Sequence, residues 1–138
     1  MRKRTKAREF ALQVLYQIDI THDDYDTSLA NFWQSNAEEN LEEEVKIFAS
    51  ELVKGAIENM GTIDNAISKY ATNWHLDRMA YVDRNILRLS CYELLFREDV
   101  PPKVSINEAV ELAKKYSTQE AAKFVNGVLD KIKPEKKK

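Results

Sequence analysis

Ala7-Arg8-Glu9-Phe10-Ala11-Leu12-Gln13-Val14-Leu15-Tyr16-Gln17-Ile18 is the stretch that decides the fold class. Its apolar positions Ala7, Phe10, Ala11, Val14, Leu15 and Ile18 recur every three or four residues, which is one buried stripe of an α-helix. The same period continues outward. Leu29, Phe32 and Trp33 mark a short second helix, with Thr27 as its expected cap, and residues 36–40 read as a break. A stripe from Leu41 through Val45, Phe48, Leu52 and Ala56 to Met60 follows, opened by the capping pair Asn40 and Glu43. Gly61 is expected to end it and Thr62 to cap a helix reaching Tyr70. After a break at residues 73–76, a helix starting near Asp77 or Asp83 runs to about Arg97. It is apolar over most of its circumference, which predicts a central position. Pro101 and Pro102 punctuate the chain, and Ser105 with Glu108 reads as a capping box. Ser117 and Thr118 open a last helix, which Pro134 is expected to end. The pattern predicts an all-α fold: about seven helices in a compact bundle made of two small helical sub-bundles. Residues 1–138 form one domain, with 135–138 as a tail.

Composition agrees with this reading. The chain has 138 residues, 43% of them hydrophobic and 32% charged, so a core forms without a metal or disulfide. Only 3 Gly and 3 Pro are present, too few for an all-β chain with many tight turns. A single cysteine excludes an intramolecular disulfide and a cysteine-rich zinc site, and fits a reducing compartment. No run of apolar residues is long enough to span a membrane, and the apolar stretch after the basic start is broken by Gln13, Gln17 and Asp19. A soluble, cytoplasmic protein is expected, without a membrane partner.

Net charge is −2, but its distribution is uneven. Residues 1–8 carry +5, residues 9–129 carry −10, and residues 130–138 carry +3. Basic ends either act as solvating tails or, if folding gathers them, hold a polyanion by releasing its counterions. Cations at a helix start oppose the macrodipole, so their placement invites a functional reason; an anion held there would offset it. A pI near 5.8 excludes a protein that coats nucleic acid everywhere. It leaves acidic faces for a protein partner.

Catalytic readings find little support. His22 and His75 have no partner at metal-ligand spacing, Cys91 lies in an apolar helix, and three glycines cannot build a phosphate loop. No catalytic residue, metal or cofactor is expected. Phe124-Val125-Asn126-Gly127 is unusual, because glycine inside a helix costs about 1 kcal/mol relative to alanine. Close helix packing at Gly127 is the structural expectation. Asn126 either braces a neighbouring segment or touches a ligand. Lys123 and Phe124 offer a charge and a stacking ring for an unpaired base.

Three stretches together resemble the NusB family of transcription antitermination factors. They are Ala7-Arg8-Glu9 with Leu15-Tyr16, Val82-Asp83-Arg84-Asn85-Ile86-Leu87-Arg88 with Tyr92-Glu93-Leu94, and Asp99-Val100-Pro101 through Ile106-Asn107-Glu108-Ala109 to Lys123-Phe124-Val125-Asn126-Gly127-Val128-Leu129-Asp130. The resemblance covers nearly the whole chain and is weakest at residues 20–45. It implies a non-enzymatic protein without a cofactor. Its implied partners are single-stranded boxA RNA of ribosomal RNA operons and the ribosomal protein NusE, with RNA polymerase reached through other Nus factors. It implies RNA contacts at Arg2, Arg4, Lys6, Arg8, Glu120, Lys123 and Phe124, and a NusE-facing position at Asp83. The N-terminal cluster carries lysine at two positions, 3 and 6, and lysine does not replace arginine in bidentate phosphate contacts. Two other readings stay open: an RNA-binding module of an rRNA cytosine methyltransferase, and a self-associating helical protein, including a homodimer.

Overall fold

The computed structural model describes residues 2–136, with side chains to residue 133. Its chain divides into two compact units, Met1–Glu58 and Asn59–Lys138. Among the described residues there are seven α-helices, two short 3₁₀ turns and no strand. None of the helices is long and apolar enough to cross a membrane.

The first unit holds α1 (Lys3–Thr21), α2 (Tyr25–Ser35) and α3 (Glu43–Glu58). The stripe on α1 is buried as its spacing predicts, from Ala7 to Ile18. Burial of each large apolar side chain contributes about 1.5–3 kcal/mol. Side-chain pairs fix the helix directions. The α1 start meets the α3 start through Lys3 and Glu44, so these two helices run the same way. The α2 start meets the α3 end, where the Tyr25 hydroxyl donates to Glu58 Oε2 at 2.8 Å. Trp33 Nε1, near the other end of α2, donates to Ser50 Oγ at 3.3 Å, so α2 is antiparallel to α3. Phe10, Phe32 and Trp33 pack edge to face with centroids 5.2–5.8 Å apart.

The second unit holds α4 (Met60–Tyr70), α5 (Tyr81–Phe96), α6 (Pro102–Tyr116) and α7 (Gln119–Lys136). Helix α5 packs against the other three and is its central helix. Ile86, Leu87, Leu89, Cys91 and Leu94 on α5 are completely enclosed. The Cys91 thiol lies 4.0 Å from the Ile63 carbonyl, a buried core contact. Two polar links tie α5 to its neighbours. Arg88 donates from Nε and Nη2 to the two Asp64 oxygens at 2.9 and 3.1 Å, a bidentate pair joining α5 to α4. Ser105 Oγ on α6 donates to buried Glu93 Oε1 at 3.1 Å.

Several boundaries differ from the sequence reading. The second helix is capped by Asp24, whose Oδ1 accepts from the Thr27 amide at 2.7 Å, rather than by the Thr27 side chain. Asn40 adopts a left-handed conformation (φ 49°) that ends the 3₁₀ turn Ala37–Glu39, so it does not open α3. Gly61 and Thr62 lie inside α4 instead of ending one helix and capping the next. The break falls at Asn59, two residues earlier in the apolar stripe. Helix α6 starts at Pro102, because proline fits a first helical position where its missing N–H is not needed. Ser105 is therefore inside α6, and its hydroxyl serves Glu93 rather than a capping box. Thr118 does cap α7, with Oγ1 accepting from the Ala121 amide at 2.9 Å. Helix α7 runs to Lys136, past Pro134; within the last turn a proline removes only one donor. The remainder of the expected tail, 137–138, lies outside the described residues.

Candidate nucleic-acid interface

The cationic start belongs to the first unit. No acidic residue occupies the first turn of α1, so its own helix does nothing to offset Arg2, Lys3, Arg4 and Lys6. Compensation comes from α3. Lys3 Nζ pairs with Glu42 at 2.9 Å and with Glu44. The hydrogen bond to Glu44, then that to Glu42, raises the Lys3 ammonium above its usual range, and Lys3 in turn holds the Glu44 carboxyl below its own. Arg4 lies over the Phe48 ring at 4.1 Å and Lys6 lies 5.7 Å from the Phe10 centroid. Arg2, Arg4 and Lys6 are exposed. Arg8 is not: it is 3% accessible, with its guanidinium 5.5 Å from the Phe48 centroid. Arg4 and Arg8, four residues apart on one face of α1, thus both lie against Phe48. Arg8 departs from the expectation of a direct RNA contact, because a side chain so enclosed presents no guanidinium to a phosphate in solvent.

The remaining candidates belong to the second unit. A groove of about 330 Å³ is lined by Trp74, Arg78, Asp83, Thr118, Glu120 and Phe124. Folding therefore brings together Asp83, Glu120 and Phe124, which are up to 41 residues apart in sequence. Phe124 is half-buried and its ring lies 5.6 Å from that of Trp74, tilted by 56°. Trp74 itself is 57% exposed. Asp83 has one carboxylate oxygen, Oδ1, enclosed and without a hydrogen-bond partner. A buried acceptor left unmade costs about 1–3 kcal/mol, so Asp83 is held here at a cost to the fold. Glu120 in the groove lining and Lys123 next to Phe124 are exposed, and Lys123 forms no ion pair among the described residues.

Neighbouring residues of the 82–88 motif serve the framework. Arg84 Nη1 donates to the Leu76 carbonyl at 3.1 Å, which holds the 3₁₀ turn Leu76–Arg78 against the start of α5. Buried Asn85 donates to the Tyr81 carbonyl at 2.8 Å, and Arg88 binds Asp64. Sequence reasoning treated residues 73–76 only as a break and so missed Trp74 and Arg78. The available signal was a tryptophan in a polar loop, between Asn73 and His75, where no helical stripe demands it.

A chain of two all-helical units, one opening on a cationic helix and one carrying a ring-lined groove, defines the class of small helical binding proteins. Residues 5–134 match the NusB family, and the chain belongs to that family. It is 55% identical over 130 residues to the transcription antitermination protein NusB of Anaeromyxobacter sp. strain Fw109-5, covering 94% of this chain and 89% of that one. It is 47% identical over 141 residues to the NusB protein of Thermodesulfovibrio yellowstonii, covering 96% and 93%. Its fold is similar to T. maritima NusB, with a TM-score of 0.86, 39% identity, and coverage of 96% and 91%. A crystal structure of the antitermination factors NusB and NusE in complex with dsRNA is equally similar, with a TM-score of 0.86, 34% identity, and 98% of each chain covered.

Proposed function

We propose that this chain is a transcription antitermination factor. It binds boxA RNA of ribosomal RNA operons together with the ribosomal protein NusE, and the pair joins RNA polymerase through other Nus factors. It acts in the cytoplasm, as one RNA-binding domain, without catalysing a reaction. The observation that carries the reading is the groove of a NusB-family chain in which Phe124, Trp74 and an unpaired Asp83 oxygen converge. Two rings beside an exposed lysine suit an unstacked base and its phosphate.

In this reading Arg2, Arg4 and Lys6 contact phosphates and fix the register of the strand without reading its sequence. Arg8 is a positioning residue that, with Phe48, sets the start of α1. Phe124 stacks on a base, while Lys123 and Glu120 border it. Asp83 faces the ribosomal partner, whose basic character complements the acidic body of the chain. Binding RNA and partner together raises effective concentration, so modest individual contacts suffice.

The test is fluorescence anisotropy with a labelled single-stranded boxA RNA, with and without NusE, across a salt series and against a double-stranded competitor. Each single-strand phosphate contact contributes about −0.7 to the slope of log affinity against log salt. The reading expects a slope of roughly −2 or steeper and tighter binding with NusE. Affinity indifferent to salt, to the boxA sequence and to NusE would contradict it. An assay with S-adenosylmethionine separates it from a methyltransferase module, because turnover would exclude a purely binding role.

A further inference from the structure

Gly127 is the residue that neither the fold nor the proposed contacts explain. It sits in the interior of α7, where glycine is a poor helix former. Close packing would justify it, but Gly127 is exposed, and a Cβ built there meets no atom within 4 Å. Its φ is not positive, so no left-handed turn requires it either. The expectation of tight helix packing is thus not met, and within the described residues this glycine is a cost without a return.

Its position on the helix is informative. At about 100° per residue, Gly127 projects between Lys123 and Phe124, one turn further along and almost directly in line with Glu120. Lys131 continues the same line a turn later; it is exposed and has no ion pair among the described residues. The face therefore carries Glu120, then Lys123 and the Phe124 ring, then bare backbone, then Lys131 beside Asp130, whose carboxylate pairs with Lys133 at 3.4 Å. Both Lys123 and Lys131 match the charge of a phosphate chain. The bare segment lets a sugar–phosphate backbone lie closer to α7 than any side chain would permit.

We propose that the RNA track does not end at Phe124 but continues along α7, over Gly127 as a close-approach position, to a phosphate contact at Lys131. The inference rests on the RNA-binding reading above and adds two residues to it.

The experiment compares the wild-type chain with Gly127→Ala, Gly127→Leu and Lys131→Ala. Melting temperature is read by circular dichroism, boxA RNA affinity by anisotropy over a salt series, and association state by light scattering. Gly127→Ala is expected to raise the melting temperature by a few degrees while weakening RNA binding. Gly127→Leu is expected to weaken binding further, by about tenfold. Lys131→Ala is expected to make the salt slope shallower by about 0.7. A Gly127→Ala chain that is more stable yet binds RNA as the wild type does would overturn the inference, as would a Lys131→Ala chain with an unchanged slope. Loss of self-association with intact RNA binding would overturn it in favour of a second copy of the chain. Failure of the wild-type chain itself to bind RNA would instead defeat the underlying reading, and so the two failures are distinguishable.

Discussion

The cationic start of α1 and the groove beside Phe124 reach their candidate roles by opposite routes. At α1 the charges are adjacent in sequence, yet folding engages them: Lys3 with Glu42 and Glu44, Arg4 and Arg8 with Phe48. At the groove the residues come from three separate stretches, and folding assembles them while leaving one Asp83 oxygen without a partner and the Trp74 ring, though it meets Phe124, more than half exposed. A cluster of charge in a sequence is therefore not a measure of charge available to a ligand. Burial and internal partners decide that, and among the five N-terminal cations they leave Arg8 buried and the other four exposed.

The largest effect that would break this comparison concerns Arg8. Arg8→Glu is expected to destabilise the chain by about 3 kcal/mol or more, because it buries an acid where the site is built for a cation on Phe48. Chemical denaturation checks this; a variant of unchanged stability would return Arg8 to the solvent-facing contacts. Next is Phe124→Ala, expected to weaken RNA binding about tenfold through loss of one stacked base, with a smaller effect on folding. Phe124→Tyr should restore most of the affinity in the same anisotropy assay. Arg2→Glu is expected not to lower stability, since the Arg2 side chain makes no capping bond and an acid suits a helix start, while flattening the salt slope by at least about 0.7. A melting temperature that fell with Arg2→Glu would make Arg2 a support of the fold.

The smallest effect is one of pH, and it sharpens the contrast between the units. The Asp24 carboxyl is held below its usual value of 3.8 by the Thr27 amide, and the Glu44 carboxyl below its usual 4.5 by Lys3. A carboxyl depressed in the folded state stabilises the fold above its unfolded value and loses that contribution as pH falls through the folded value. Both groups belong to the first unit, so its amide signals are expected to weaken first on acidification below about pH 4. Asp24→Asn keeps an accepting oxygen but cannot titrate, and should reduce that acid sensitivity in an NMR pH series.

Most of the fold was legible because burial follows the apolar period. The stripe Ala7 to Ile18 and the enclosed face of α5 are where the spacing placed them. Helix ends were less legible, because a cap depends on one side-chain bond: Asp24 took the role expected of Thr27, and Ser105 turned inward to Glu93. At the site, Phe124 was legible as a ring next to a lysine and Asp83 only through the family resemblance, and their shared groove became visible only with Trp74 in place. At Arg8 the sequence shows the charge but neither its burial nor the ring beside it.

The proposed function has RNA contact the start of α1 in the first unit and the Phe124 groove in the second. Titrating ¹⁵N-labelled protein with single-stranded boxA RNA tests it residue by residue. The account predicts that amides of residues 2–6 and of 118–127 shift together along a single binding isotherm. Shifts confined to one of those regions, or two isotherms of different midpoint, would contradict it.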